Sequence, residues 1–197
     1  MRACPCKIIF NIIYFGKILR KTKGIESLKK NIYLIGFMGT GKSTISRALH
    51  DILGWPEIDM DAVIEQEQQM KITEIFARYG ESHFRDLETA CLQALSEEDA
   101  SIVSCGGGAV LRSENVELMR KSGTIVLLTA TPETVYERVK DSTNRPVLNG
   151  NMNVEYISQL MEKRRSAYES ASQVRIVTDG RSPEEIAEEI ICCCSEK

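Results

Sequence analysis

Gly36-Phe37-Met38-Gly39-Thr40-Gly41-Lys42-Ser43 satisfies the pattern G-x-x-x-x-G-K-[ST] at every position, and that pattern binds the phosphates of a nucleoside triphosphate. Its glycines let main-chain N–H groups turn inward around phosphate oxygens, at a helix N-terminus whose dipole favours anions. Gly39, Thr40 and Gly41 would line such a cradle, with Thr44 in the helical turn that follows. Lys42 would reach the β- and γ-phosphates, and the Ser43 hydroxyl would ligate Mg2+.

Two carboxylates come next. Asp59-Met60-Asp61 places them at alternate positions just past a predicted strand end, where an open parallel sheet forms its ligand crevice. One acid can support Mg2+ while the other orients an acceptor hydroxyl and takes its proton. An isolated D-x-D is more often a solvated turn; beside a P-loop it reads as functional. Arg85, Arg138, Arg145 and Arg164 fall in separate segments near loops or helix ends. Phosphoryl transfer needs positive charge over the migrating group, and arginine grips a carboxylate bidentately. Any one of them alone reads as a surface ion pair. Arg145-Pro146 is the best placed to bring charge with a closing lid, because it sits in a polar stretch. Gly106-Gly107-Gly108 follows a strand and permits close backbone approach to a ligand, though a flexible turn would look the same.

The elements that must position these groups alternate between strand and helix, the mark of a parallel α/β sheet. Strands are predicted at 32–35, 57–59, 101–104, 124–128 and 174–178, and the fully apolar 124–128 suits a sheet centre. Helices are predicted at 43–53, 62–69, 72–79, 82–95, 116–121, 131–140, 155–170 and 183–192, with Gly80 separating the third and fourth. Residues 141–154 are polar, with Gly150 and four asparagines, and a long polar insert between helices is expected to be a lid.

Composition bounds the partners. The 197 residues suit one domain, with 43% hydrophobic and 27% charged residues. Residues 1–30 hold eight Lys/Arg and one acid, so 17 basic and 27 acidic residues remain in the rest of the chain, a net of −10. Such an acidic body argues against a nucleic-acid partner. The apolar run at 8–15 is far short of the roughly 20 residues of a membrane span, so residues 1–30 are expected to be a disordered basic extension or a misplaced start, with targeting or membrane association as the lesser option. Seven cysteines without paired C-x-x-C and histidine spacing point away from zinc and towards a reducing cytoplasm. The absence of N-K-x-D counts against a GTPase. A kinase of a small acceptor remains, and a nucleotide-binding module without activity is the reading from another class.

Taken in order, L-I-G-F-M-G-T-G-K-S, I-D-M-D-x-x-I-E, I-x-E-I-F, G-E-x-x-F-R-x-x-E, C-G-G-G, R-P-V-L and R-R-S-A-Y resemble shikimate kinase over residues 31–191. The resemblance implies a three-layer P-loop kinase fold, with a central parallel sheet, a small helical substrate-binding region near 60–95 and a lid near 141–154. It implies transfer of the ATP γ-phosphoryl to the 3-hydroxyl of shikimate, with Mg2+, in a cytoplasmic monomer bound to neither nucleic acid nor membrane. A kinase of a related acceptor such as gluconate is the alternative.

Residue by residue, Asp61, Arg85, Arg164 and Gly106–Gly108 would hold shikimate, and Asp61 would assist deprotonation. Phe76 and Phe84 would wall its pocket, and Glu88 would orient Arg85. Asp59 would sit near Mg2+ with Ser43, Arg145 would fold against the transferring phosphoryl, and Arg138 and Arg181 would flank adenine. Three positions depart from the family pattern: Cys105 replaces a frequent threonine, Ser166 a usual proline, and Arg165 beside Arg164 leaves the second carboxylate clamp open by one residue.

Overall fold

The computed structural model describes residues 30–98, 100–140 and 153–195. The predicted extension up to Lys29, and residues 141–152 of the predicted lid with Arg145 among them, lie outside the described residues.

Among the described residues, five strands form one sheet: β1 (Asn31–Ile35), β2 (Glu57–Asp59), β3 (Ile102–Ser104), β4 (Gly123–Thr129) and β5 (Val174–Val177), in the order β2-β3-β1-β4-β5. Every pairing is parallel. All five residues of β1 are buried, as a central strand covered on both faces requires. Because side chains alternate across a strand, the sheet splits its apolar residues between two cores. Tyr33, Ile35, Val103, Ile125 and Leu127 face one; Ile32, Leu34, Ile102, Val126 and Leu128 face the other.

Among the described residues, seven helices cover these faces: α1 (Lys42–Leu53), α2 (Met60–Gln68), α3 (Ile72–Ser96), α4 (Ser113–Ser122), α5 (Pro132–Val139), α6 (Val154–Ala171) and α7 (Pro183–Ser195). Ile45, Ala48 and Leu49 of α1 and Ile186, Ala187 and Ile190 of α7 close the second core. Met60, Ile64, Ile75, Phe84, Leu92, Met119 and Tyr168 bring α2, α3, α4 and α6 onto the first. A smaller cluster of Phe37, Val135, Val139 and Ile157 packs α5 and α6 beneath the glycine-rich loop. Among the described residues no helix is long and apolar enough to cross a membrane.

The chain leaves β1 towards β2, returns through β3, then crosses β1 to reach β4. The reversal puts a crevice at the carboxyl ends of β1 and β3, where such sheets bind ligands. The predicted helices 72–79 and 82–95 do part at Gly80, whose φ 81° and ψ 174° are not helical and break the run of α3. One local feature differs from expectation. A short 3-10 turn, Ala109–Leu111, follows the triple glycine, where no element is predicted.

Candidate active site

A cavity of about 810 Å3 opens at that crevice, and residues predicted from every part of the described chain line it. At one end lies the loop between β1 and α1. Gly41 is the N-cap of α1 with φ 96° and offers no side-chain cap, so the first-turn amides remain available to an anion. Lys42 Nζ donates to the carbonyls of Gly36 (3.0 Å) and Phe37 (3.2 Å), which holds the ammonium over the loop. Gly39, Ser43 and Thr44 line the same end. Thr40 also lines it, but its side chain is spent on the loop itself, donating to Phe37 O at 2.8 Å.

Arg138 and Arg181 line the cavity beside this loop, with Thr178, Pro183 and Ile186. Arg138 donates to Gly39 O (3.2 Å), Thr178 Oγ1 (3.1 Å) and Thr178 O (3.1 Å), which pins α5 to the loop after β5. Arg181 is anchored on Glu189 at 2.5 Å and on Val177 O at 3.3 Å.

Asp59 ends β2 and begins α2: its Oδ1 accepts from the main-chain N–H of Asp61 (3.0 Å) and Ala62 (3.3 Å). That cap turns Asp61 into the cavity. Burial raises the Asp61 carboxyl above its ordinary value and the charge of Asp59 adds to this, while Lys42 and Arg85 oppose it. Glu88, fully buried, is also raised by burial, against the pull of Arg85. Among the described residues neither Asp61 Oδ1 nor Glu88 Oε1 has a hydrogen-bond partner. Both lie 2.8 Å from where a Cβ on Gly106 would stand, so two buried acceptors face the bare Cα of that glycine.

Arg85 is held by two carboxylates, Glu88 at 2.6 Å and Glu81 at 2.7 Å. Its guanidinium lies against Gly108: a Cβ there would stand 2.5 Å from Arg85 Cζ and 2.6 Å from Nη2, closer than a real Cβ can approach. A side chain at this position would displace the guanidinium from the loop. Arg164, from α6, reaches the same loop and donates to Gly107 O at 3.3 Å. Arg165 turns away, pairs with Glu162 at 2.7 Å and lines a separate cavity. Adjacent helix positions point about 100° apart, which separates the two arginines. The helix runs unbroken through Ser166.

Phe84 lines the cavity and stacks with Phe76, ring centroids 4.8 Å apart; Phe76 stays 36% exposed and is not part of the lining. Cys105 lines the cavity floor at 2% exposure, and burial drives its thiol strongly upward, so it behaves as a small apolar residue. Sequence reasoning missed Tyr168 as a contributor: its hydroxyl donates to Gly107 O at 2.7 Å. It also missed the roles of Glu81, whose i,i+4 spacing from Arg85 could have offered the pair, and of Thr178, whose partner Arg138 lies 40 residues away and leaves no local signature.

A family model described as Shikimate kinase matches residues 38–195. A shikimate kinase of Geobacter metallireducens is 45% identical over 169 residues, 86% of this chain and 94% of that protein. One from Thermodesulfovibrio yellowstonii is 43% identical over 162 residues, 82% of this chain and 93% of that protein. Among solved structures, a shikimate kinase from Acinetobacter baumannii in complex with shikimate superposes with a TM-score of 0.77 at 32% identity, covering 82% of this chain and 90% of that one. On the match of a model spanning most of its length, and on relatives of this identity and coverage, the chain belongs to the shikimate kinase family.

Proposed function

We infer that this chain transfers the γ-phosphoryl group of ATP to the 3-hydroxyl of shikimate, giving ADP and shikimate 3-phosphate, in the chorismate route to aromatic amino acids. The observation that carries the reading is the meeting of two arginines from different helices at one glycine loop. Arg85 lies on Gly108 and Arg164 reaches Gly107, in the same cavity as the P-loop. An acceptor with a carboxylate finds there two guanidiniums to grip it, and one with hydroxyls finds the acceptor oxygens of Asp61 nearby.

Each residue then has a role. Arg85 and Arg164 bind the carboxylate, with the main chain of Gly106–Gly108 beside them. Asp61 accepts the proton of the 3-hydroxyl as that oxygen bonds to the γ-phosphorus and the bond from phosphorus to the β,γ-bridging oxygen breaks. Its raised carboxyl brings it closer to the basicity that proton transfer at neutral pH requires. Gly39, Thr40, Gly41 and Thr44 cradle the phosphates, Lys42 stabilises the charge on the transferred group, and Arg138 and Arg181 flank the base. Arg145, outside the described residues, is assigned the charge that arrives over the phosphoryl. Positioning and fixed charge account for most of the rate, since the transition state is loose.

Ser43 and Asp59 supply a hydroxyl and a carboxylate on the cavity wall, hard oxygen donors of the kind that suit Mg2+. They would hold the ion, which when bound neutralises phosphate charge. The same reading takes residues 31–197 as one catalytic domain behind a basic extension, acting as a cytoplasmic monomer that binds neither nucleic acid nor membrane. Sedimentation of the purified chain checks the monomer.

The test is ADP release with Mg-ATP in the presence of shikimate, gluconate, quinate or a nucleoside monophosphate. Strong stimulation by shikimate alone is expected. Stimulation by another acceptor instead would leave a P-loop kinase with a different acceptor site.

A further inference from the structure

A Cβ on Gly108 would stand 2.5 Å from Arg85 Cζ, so the guanidinium, anchored on Glu81 and Glu88, lies directly on the glycine loop, and its place there depends on the separation of that loop from α3. Side chains behind the cavity set that separation. One helical turn beyond Arg85, Thr89 is 7% exposed, and opposite it Asn115 of α4 is fully buried. Thr89 Oγ1 lies 2.8 Å from Asn115 Oδ1 and 3.0 Å from Arg85 O, two acceptors that share its one proton, and Asn115 Nδ2 donates to Ala109 O at 2.9 Å. Ala109 is the residue after Gly108. Arg112 closes the network, donating to Thr89 Oγ1 (3.4 Å) and Ser82 O (3.3 Å) and pairing with Asp86 at 2.8 Å. Thus α3, the glycine loop and α4 are joined through directional bonds, and neither Thr89, Asn115 nor Arg112 lines the cavity.

We propose that Asn115, with Thr89 as its partner, is a positioning residue for the acceptor's carboxylate. It holds the Gly106–Ala109 segment at the distance from α3 at which Arg85 lies on Gly108. The proposal rests on the reading of Arg85 as a carboxylate clamp. An apolar pair would fill the same space, but apolar contact is non-directional and would leave the Ala109 carbonyl without its donor. A hydrogen bond holds distance and angle within narrow limits. Misplacement by about 1 Å at a distance from the chemistry can cost on the order of 10²-fold in rate, so a sub-ångström drift of the loop matters at this clamp.

The test uses the full chain and four proteins: wild type, Asn115→Leu, Thr89→Val and Thr89→Ser. The KM for shikimate, the KM for ATP, kcat and thermal stability are measured for each. Asn115→Leu and Thr89→Val are expected to raise the KM for shikimate by about tenfold, with the KM for ATP within about twofold of wild type. Thr89→Ser keeps the hydroxyl and is expected to restore the wild-type ratio of the two constants. If Asn115→Leu does not fold, the Thr89→Val and Thr89→Ser pair carries the test by itself. A ratio that stays at the wild-type value, or two constants that worsen in parallel as stability falls, overturns the proposal and leaves the network a merely structural one. Turnover of shikimate by the wild type keeps those failures separate from failure of the functional reading. If the wild type does not phosphorylate shikimate, that reading falls and the proposal falls with it.

Discussion

At the scale of single residues, the proposed acceptor site places charges where water screens them poorly. Glu88 is the deepest of these, fully buried and bound to Arg85 Nη1 at 2.6 Å. Removing one partner of such a pair strands the other, at a cost of about 3–5 kcal/mol for a wholly buried charge. Burial nonetheless holds the Glu88 carboxyl above its ordinary value in the folded state. The native protein therefore keeps this proton more readily than the unfolded chain does. The resulting stability is present below the unfolded pKa and is lost as pH rises through the folded one. Glu88→Gln lacks that proton altogether. Its melting temperature relative to wild type is expected to improve as pH rises from about 4 through neutrality. A relative melting temperature that is flat or falls over that range, followed by calorimetry, would mean that the Arg85 pairing outweighs burial.

At the scale of elements, α3 has to do two things that one straight helix could not. Its first part packs Ile75 into the core beside α2, and its second part carries Arg85 and Glu88 to the cavity. Gly80 lets the axis break between them, with φ 81° and ψ 174°, a region of the backbone map essentially closed to other residues. Gly80→Ala is expected to lose about 1–3 kcal/mol of stability from backbone strain, measured by denaturant unfolding. Space is not the issue, since among the described residues no atom beyond the adjoining chain lies within 4 Å of the added Cβ. A substitution without effect would show that the break is dispensable and that α3 can straighten.

At the scale of the whole molecule, the parallel order β2-β3-β1-β4-β5 brings the ends of β1, β2 and β3 to one crevice. Residues as distant as Gly39 and Arg181 consequently share one cavity, and ligands bridging its parts bind the folded chain and not the unfolded one. Shikimate at about 100 times its Kd is expected to stabilise the protein by about 2.7 kcal/mol, read as a rise in melting temperature, with gluconate giving no shift. An equal rise with gluconate, which carries a carboxylate as well, would show that the rest of the pocket does not distinguish the two acceptors.

The sequence by itself determined whatever depends on neighbours along the chain. The P-loop is contiguous, so its glycines, Lys42 and Ser43 could be recognised together. Strand β1 declares itself because burial on both faces demands an unbroken apolar run, and Gly80 marks a helix break by conformation alone. Pairings across the chain are another matter. Arg164 and Arg165 are chemically identical, and only the seating of α6 on the sheet turns one into the cavity and the other away. Asn115 reads as an ordinary helix polar residue until folding buries it against Thr89, 26 residues earlier. Tyr168 likewise gains its partner, Gly107, from 61 residues away. Hydrogen bonds and burial of this kind carry no local pattern, because their geometry exists only once the elements have packed.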